Sequence, residues 1–193
     1  MRTSNSISQP VPLRPAVFLD RDGTLIEDRG HLAEPSEVAF YPHAVEALRQ
    51  LQDHFLLFLV TNQPGVARGV ITLEDVNRVN ARVLSHLGEQ GVTITAVYVC
   101  PHQRSDNCPC SKPHPHFLHK AAAEHGVDLP RSFTIGDHPH DVELARAAGA
   151  RGIYVRTGHG SKHLAELPAG EMVVATLREA ADWILKDVCS TLP

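Results

Sequence analysis

The sequence has no apolar stretch long enough to cross a membrane. Its longest apolar run, Phe55 to Val60, has the length of a strand, whereas a membrane-spanning helix needs roughly 20 residues. It also has no run of lysine or arginine, and its 18 basic and 22 acidic residues give a formal charge of −4. Nucleic-acid-binding proteins usually carry a basic balance or patch. These absences predict a protein with neither a membrane span nor a nucleic-acid partner.

The sequence also lacks internal repeats, low-complexity segments after its first residues, and any insertion long enough for a separate cap domain. Apolar residues make up 42% of the 193 residues and charged residues 21%, which are ordinary values for a globular protein. Residues 1–15 are polar, rich in serine and proline, and contain no apolar core like that of a signal peptide. We therefore expect a flexible leader at 1–15, a single domain at 16–193 and a location in the cytoplasm.

Short apolar runs alternate with amphipathic stretches along the chain. The predicted strands are Ala16–Leu19, Phe55–Val60, Ile94–Val99, Ser132–Ile135, Gly152–Val155 and Met172–Val174. The predicted helices are His43–Asp53, Thr72–Gln90, Pro115–His125, His140–Ala148 and Thr176–Asp187. This alternation is typical of βαβ units, and it predicts a doubly wound, Rossmann-like α/β fold with a parallel sheet and helices on both faces. Ligands of such sheets bind at the carboxyl ends of the strands.

Two acidic motifs each follow a predicted strand. Asp20 and Asp22 lie two residues apart before Gly23, so both side chains point to one side of an extended chain. Asp137 follows the fourth strand and Asp141 lies four residues further on, where turn formation and helix capping are the ordinary roles of such acids. Carboxylates gathered at one sheet edge repel one another unless some are protonated or a cation lies among them. Because oxygen ligands favour a hard ion, we predict a Mg²⁺ site there.

Other polar residues at the same predicted edge could hold a phosphoryl group. Thr61 offers a hydroxyl and a backbone N–H, Asn62 offers an amide, and Lys112 offers a cation. The sequence contains no Gly-x-x-x-x-Gly-Lys-Ser/Thr motif, which argues against a nucleotide-binding P-loop. The magnesium ion, Thr61 and Lys112 could therefore hold a phosphoryl group together.

Three of the four cysteines lie close together with a histidine. Cys100-x-His102 and Cys108-x-Cys110 supply four soft or borderline ligands at short spacing, which matches a tetrahedral zinc site. Free thiols beside a surface histidine are the ordinary alternative, and a disulfide between Cys108 and Cys110 is geometrically awkward. Since four protein ligands leave no position for a catalytic water, we predict a structural Zn²⁺ that braces this loop and places Lys112.

The polar motifs resemble, in order, the four motifs of the haloacid dehalogenase-like (HAD) phosphohydrolases: Asp20-x-Asp22-Gly23-Thr24, Thr61-Asn62, Lys112-Pro113, and Gly136-Asp137 with Asp141. The resemblance covers about residues 16–158. It implies that Asp20 is the nucleophile that forms an aspartyl-phosphate and that Asp22 is the general acid and base. It implies that Thr61 and Lys112 stabilise the phosphoryl oxygens. It also implies that Asp20, the Asp22 carbonyl and Asp137 bind the Mg²⁺.

The cysteine-containing loop narrows the resemblance to the D-glycero-D-manno-heptose 1,7-bisphosphate 7-phosphatases, with the histidinol-phosphate phosphatases as a near alternative. The resemblance implies substrate contacts by Asp28, Arg29, Gly30, His31, Thr61, Asn62, Gln63, Pro64, Ser111, Lys112 and His138. Two positions depart from the family pattern: Ser111 stands where arginine is usual, and His138 where the heptose enzymes often have lysine. The loss of two cations should weaken the capture of a second phosphate.

We therefore expect a monomeric, Mg²⁺-dependent phosphomonoester hydrolase that also contains structural Zn²⁺ and acts on a small phosphorylated sugar or amino alcohol. The 7-phosphate of heptose 1,7-bisphosphate is the first expected substrate, and histidinol phosphate is the second. A receiver-like signalling domain phosphorylated on Asp20 and a catalytically inert zinc-loop binding module fit part of the pattern. The second acid, Asp22, the chain length and the zinc loop argue against the receiver.

Overall fold

The structure is a computed structural model that describes residues 12–191, with side chains up to residue 187. Residues 1–11, most of the predicted leader, lie outside the described residues. Of the remaining leader residues, Arg14 forms an isolated β-bridge with Val127, and its backbone N–H donates to the Gly126 carbonyl at 2.9 Å. None of the described helices is both long and apolar enough to cross a membrane.

Six parallel strands form one sheet in the order β3-β2-β1-β4-β5-β6. The strands are β1 (Ala16–Leu19), β2 (Leu56–Asn62), β3 (Ala96–Cys100), β4 (Phe133–Gly136), β5 (Arg151–Val155) and β6 (Met172–Val174). The chain first moves outward from β1 to β3 and then returns to the other side of β1 to form β4. The strand order therefore reverses beside β1, which is the position where open α/β sheets bind their ligands. The predicted doubly wound parallel sheet is confirmed.

Helices cover both faces of the sheet. They are α1 (Ala44–Leu51), α2 (Pro64–Ala67), α3 (Leu73–Glu89), α4 (His116–His125), α5 (Pro139–Ala148) and α6 (Leu177–Thr191). Side chains alternate along a strand, so Val17 and Leu19 of β1 pack in the core formed with α1, α3 and α6. Ala16 and Phe18 pack in a second core with α4 and α5. Burial of β1 on both faces explains why its sequence is continuously apolar rather than alternating.

The predicted elements are present, with boundaries that differ by a few residues. Thr72 caps α3 through the predicted capping box, accepting from the Asp75 backbone N–H at 3.1 Å while its own N–H donates to the Asp75 carboxylate at 2.8 Å. Strand β2 continues beyond its predicted end, so Thr61 and Asn62 are strand residues that pair with β3. The short helix α2 was not predicted; proline at its first position suits a helix start.

The connection between β1 and α1, residues 20–43, forms a short ordered loop rather than a cap domain. Two isolated β-bridges, Asp22 with Ile26 and Ile26 with Phe40, fold it back on itself beside the sheet. The carboxyl edge of the sheet therefore lies under loops only, as expected from the absence of a long insertion.

Candidate active site

The register of the sheet brings distant polar residues to one edge. Asp20 directly follows β1, Thr61 lies near the end of β2, and Asp137 directly follows β4. Leu19 is paired with Ile135 of β4, and the Asp20 backbone N–H donates to the Ile135 carbonyl at 2.9 Å. Residues separated by more than 100 positions in sequence thereby become neighbours at the carboxyl ends of adjacent strands.

A cavity of about 290 Å³ lies at this edge. Its lining residues are Asp20, Asp22, Asp28, Thr61, Asn62, Pro64, Lys112, Asp137, His138, His140, Asp141 and His159. All except His140, Asp141 and His159 belong to the predicted catalytic, magnesium-binding or substrate-binding residues. The structure therefore brings most of the predicted site residues into a single cavity.

Lys112 is the central cation of the cavity. Its Nζ donates to Asp20 Oδ1 at 2.5 Å and to Asp141 Oδ1 at 2.7 Å, and its side chain is only 6% exposed. Burial opposes the charged form of this amine, but the Asp141 and Asp20 carboxylates outweigh burial and raise the pKa of Lys112. The role of Asp141, left open by the sequence, is thus to bind Lys112 as well as to accept the His138 backbone N–H at 3.2 Å.

The acids of the cavity are difficult to ionise together. Burial raises the pKa of Asp20 well above its ordinary value, and the neighbouring carboxylates add to the effect while Lys112 opposes it. Burial and the Asp141 carboxylate raise the pKa of Asp137 to about 6. This is the electrostatic situation in which a bound cation is favourable, because it allows several carboxylates to be ionised side by side.

Asp22 is held by donors from the side chains of three other residues. The guanidinium of its chain neighbour Arg21 binds the carboxylate, with the closest ion-pair contact at 2.8 Å. Gln63 Nε2 donates to Asp22 Oδ2 at 2.7 Å, and the Thr61 hydroxyl lies 3.4 Å from the same oxygen. Arg21 is fully buried and its Nη1 donates to Asn80 Oδ1 of α3 at 2.6 Å. Gln63, predicted as a substrate contact, is buried against Asp22 and does not line the cavity.

Glycines allow the backbone to approach Asp137 closely. Gly23 has φ +84°, and a Cβ atom at this position would lie 2.1 Å from Asp137 Oδ2. A Cβ atom on Gly158 would lie 2.3 Å from the same oxygen. The backbone N–H of His159 donates to Asp137 Oδ2 at 2.7 Å. The loop after β5 therefore closes one side of the site, a contribution that the sequence analysis missed.

Asn62 joins the sheet edge to the cysteine-containing loop. Its Oδ1 accepts from the Lys112 backbone N–H at 3.1 Å, and its Nδ2 donates to the Lys112 carbonyl at 3.4 Å and to the Ser111 hydroxyl at 3.3 Å. Asn62 thus positions the segment that carries the buried cation. Ser111 itself lines a smaller adjoining cavity.

The predicted substrate-contact segment 28–31 only partly faces the cavity. Asp28 lines it, and its carboxylate pairs with His159 Nε2 at 2.8 Å and accepts from the Gly30 backbone N–H at 2.7 Å. The exposed Arg29 pairs with Glu27 at 3.0 Å, while the His31 ring lies against Gly65. Arg29, Gly30 and His31 line neither the large cavity nor the adjoining one.

His138 begins α5 at the edge of the cavity. Its Nδ1 accepts from the backbone N–H of His140 at 3.3 Å. Burial and the nearby His140 ring lower the pKa of His138 to about 4, so the ring is neutral at neutral pH. His138 therefore cannot replace a lysine as a permanent cation, although it can form hydrogen bonds.

The cysteine and histidine residues predicted to bind zinc form a single cluster. The ligand atoms of Cys100, His102, Cys108 and Cys110 all lie within 4.8 Å of one another. Cys110 Sγ is 2.9 Å from Cys108 Sγ and 3.1 Å from Cys100 Sγ, well beyond the roughly 2.05 Å of a disulfide bond. Three sulfur atoms and an imidazole nitrogen around one point are a fitting donor set for a closed zinc site.

Several residues in the site gave little signal in the sequence. Arg21 between two acids on a short turn has no apolar pattern around it that would indicate burial, and its partner Asn80 lies 59 residues away. His159 belongs to a loop with no recognisable motif. Asp141 did give a signal, because it lies four residues after Asp137, but the two residues do not share a helix. Asp137 precedes α5, and Asp141 lies in the first turn of that helix.

Comparison with known proteins agrees with this geometry. Residues 109–180 match a family model described as HAD-hydrolase-like. The parallel sheet, the acids at its carboxyl edge and this match define a hydrolase of the HAD-like class.

Two relatives specify the class further. The chain is 35% identical to a D-glycero-beta-D-manno-heptose-1,7-bisphosphate 7-phosphatase of Yersinia pestis, over 90% of this chain and 91% of the relative. It is 33% identical to the enzyme of that name from Bordetella bronchiseptica, over 89% and 98% of the two chains. The chain belongs to the D-glycero-D-manno-heptose-1,7-bisphosphate 7-phosphatase family of HAD-like hydrolases.

A solved structure supports the same assignment. The crystal structure of D,D-heptose 1,7-bisphosphate phosphatase from B. bronchiseptica, complexed with magnesium and phosphate, matches with a TM-score of 0.83 and 32% identity. The match covers 90% of this chain and 99% of that structure. The prediction of a HAD phosphatase is thus confirmed, and it is favoured over the receiver-like signalling domain and the inert binding module.

Proposed function

We propose that this phosphatase removes the 7-phosphate of D-glycero-D-manno-heptose 1,7-bisphosphate through an aspartyl-phosphate on Asp20. The observation that carries the proposal is the convergence of Asp20, Asp22, Lys112 and Asp137 on one cavity. The substrate is taken from the names of relatives that cover nearly the whole chain. Histidinol phosphate remains the second candidate substrate.

The residues of the cavity suit a Mg²⁺ ion. Asp20 and Asp137 supply carboxylate oxygens, and the Asp22 carbonyl is the third predicted ligand. Oxygen donors of this kind match the preference of a hard divalent ion. Burial, with a smaller contribution from neighbouring carboxylates, raises the pKa values of Asp20 and Asp137, and a bound cation would favour their ionised forms. When bound, Mg²⁺ would lower the repulsion between an anionic nucleophile and an anionic phosphate.

The reaction would proceed in two displacements at phosphorus. In the first, a carboxylate oxygen of Asp20 forms a bond to phosphorus, the bond to the sugar oxygen breaks, and Asp22 donates its proton to the leaving sugar oxygen. In the second, water loses a proton to the Asp22 carboxylate and attacks phosphorus, which releases inorganic phosphate and restores Asp20. Lys112 and Thr61 would interact with phosphoryl oxygens during both displacements.

The Cys100, His102, Cys108 and Cys110 cluster would hold a structural Zn²⁺. The loop between β3 and α4 packs few apolar side chains, and several of its residues are exposed, so a metal would supply much of its order. We further propose that the protein is monomeric and cytoplasmic, that the predicted leader is flexible up to the point where Arg14 pairs with Val127, and that the remainder is one domain. Substrate contacts would come mainly from the predicted residues that line the cavity.

The test of the mechanism is Asp20→Asn, which keeps the size of the side chain but removes the nucleophile. We expect turnover of heptose 1,7-bisphosphate to fall by ~10⁴-fold or more, since loss of a catalytic nucleophile has effects of this order. Asp182→Asn, at a half-buried site on α6 where the carboxylate pairs with Arg178 at 3.1 Å, is the matched control and should retain parental rates. Equal activity of Asp20→Asn and the parent, with both proteins folded, would refute the mechanism.

The test of the substrate is a comparison of kcat/KM for heptose 1,7-bisphosphate, histidinol phosphate and simple monophosphates. A clear preference for the heptose ester supports the proposal. A preference for histidinol phosphate would leave the chemistry intact and overturn the substrate.

A further inference from the structure

A second, smaller cavity adjoins the catalytic one. It has a volume of about 110 Å³ and is lined by Asn62, Pro64, Arg68, His102, Arg104, Ser111, Lys112 and His140. No carboxylate is among these lining residues, whereas five acids line the catalytic cavity. At roughly 30 Å³ for each water in the liquid, the volume equals about three to four waters, which is sufficient for a phosphate-sized group.

The two arginines of this basic pocket are Arg68 and Arg104. Across the described residues, neither the Arg68 nor the Arg104 guanidinium forms an ion pair or a side-chain hydrogen bond. Arg29, at the other side of the catalytic cavity, is by contrast paired with Glu27. Arginine stays protonated and presents a planar fork of donors that matches the oxygens of a phosphate. The pocket therefore has the charge and the donors of an anion site that its own carboxylates do not fill.

The pocket and the catalytic cavity share part of their walls. Asn62, Pro64, Lys112 and His140 line both of them. A small molecule with one phosphate beside Asp20 could therefore place a second anionic group in the pocket without leaving the protein surface. This geometry fits a substrate that carries two phosphates at its opposite ends.

Separate contacts hold the two arginines on the same side of the site. Arg68 directly follows α2, and Arg104 lies in the cysteine-containing loop between His102 and Cys108. The Gln63 N–H donates to the Cys100 carbonyl at 2.7 Å, and the Ala67 N–H donates to the Pro101 carbonyl at 3.1 Å. These backbone contacts tie the start of the loop to α2, so both arginines belong to one packed unit.

We propose that Arg68 and Arg104 bind the second phosphate of a bisphosphorylated substrate and determine the preference for such substrates. The inference rests on the proposed function and deepens it. Ser111 and His138 lack the permanent charges that the related enzymes usually carry at these positions. In this chain, the cations come instead from the end of α2 and from inside the cysteine-containing loop. Arg68 and Arg104 are thus specificity-determining residues, and neither contacts the reacting phosphate.

The experiment measures kcat/KM for matched pairs of substrates. The first pair is heptose 1,7-bisphosphate and heptose 7-phosphate, and the second is a hexose 1,6-bisphosphate and its 6-phosphate. In Arg104→Gln and in Arg68→Gln, we expect the value for each bisphosphate to fall about 10- to 100-fold, because a charge-assisted hydrogen bond is lost. The values for the monophosphates should stay within about twofold. Arg131→Gln, at an exposed ion pair with Asp128, is the control and should change neither value.

The outcomes separate this inference from the substrate assignment. If the parent prefers the heptose bisphosphate and the arginine variants retain that preference, the inference is wrong and the proposed function stands. If histidinol phosphate is the best substrate but the variants still erase a preference for bisphosphates within each pair, the inference holds and the heptose assignment fails. An equal loss for bisphosphates and monophosphates, or no preference in the parent, would overturn the inference.

A gain-of-function variant provides an independent check. Ser111 lines the same pocket. Ser111→Arg in the Arg104→Gln background would therefore restore a positive charge to the pocket at a different position. We expect the ratio of kcat/KM for the bisphosphate to that for the monophosphate to be at least about tenfold higher in this double variant than in Arg104→Gln. If the preference stays at the level of Arg104→Gln, the pocket does not act through its charge.

Discussion

The two candidate metal sites of this protein are built in opposite ways. The acidic cavity gathers side chains from five separate segments, between residues 20 and 159, at the edge of a sheet whose central strands β1 and β4 are buried on both faces. The Cys100, His102, Cys108 and Cys110 cluster comes from one short segment, and only Cys100 belongs to a strand. One site is assembled by the fold, whereas the other is assembled by local sequence.

The two sites therefore depend on different interactions in order to form. The hydrophobic cores hold the acids together even though their carboxylates repel one another, and the cost is visible in the raised pKa values of Asp20 and Asp137. The cysteine-containing loop has little apolar packing, so its order should depend on a bound metal. The two sites meet where Asn62 contacts Ser111 and Lys112.

The largest effect after loss of the nucleophile should come from Lys112→Met, which breaks the connection between the two sites. Removing one cation that stabilises transferring oxygens typically costs about 10²- to 10³-fold in kcat. The variant should also be less stable by about 3–5 kcal/mol, since two buried carboxylates lose their partner. Steady-state kinetics and urea unfolding measure the two effects. Lys120→Met, at an exposed position on α4, should leave both near the parental values.

Cys110→Ser should sharpen the contrast by disturbing only the local site. We expect loss of bound zinc by elemental analysis, faster amide exchange in residues 100–112, and a fall in kcat/KM of about 10- to 100-fold. The sheet should keep most of its protection, because only Cys100 and Cys110 of this cluster contribute to the apolar cores. Asp137→Asn is the converse variant and should keep zinc while losing the response to magnesium. Full activity with no zinc in the parent would show that the loop needs no metal.

The effect of magnesium on stability should depend on pH. In the metal-free protein, burial and Asp141 raise the pKa of Asp137 from 3.8 to about 6. The folded state therefore binds this proton more tightly than the unfolded chain, and its stabilising contribution, complete below pH 3.8, is lost as the pH rises through about 6. Magnesium competes with the proton, so the increase in Tm on adding Mg²⁺ should be larger at pH 7.5 than at pH 5. A larger increase at pH 5 would contradict this assignment.

The smallest effect should come from Asn80→Ala, which removes the buried partner of Arg21. A hydrogen bond of about 1 kcal/mol that positions Asp22 corresponds to a loss of about fivefold in kcat, with little change in KM. Asn77→Ala, exposed on the same helix, is the matched control.

The predicted strands and helices agreed with the structure because burial on both faces leaves continuous apolar runs, as in β1, and one-sided burial leaves a helical period, as in α3. The ends of elements were less accurate. Strand β2 continues through Thr61 and Asn62 because β3 supplies pairing partners there, and no apolar pattern marks such polar strand residues. Helix α2 is too short to show a period.

The sequence by itself determined the order of the acidic motifs, the lysine, and the ligands of the cysteine-containing loop, because chemistry of this kind needs particular side chains at short spacing. Only the tertiary structure decided that Arg21 is buried against Asn80, that Asp141 binds Lys112, and that two arginines with no ion pair to any described residue lie beside the catalytic cavity. These relations depend on which strands and loops become neighbours. The spacing of residues within one segment does not predict contacts that form when distant segments pack together.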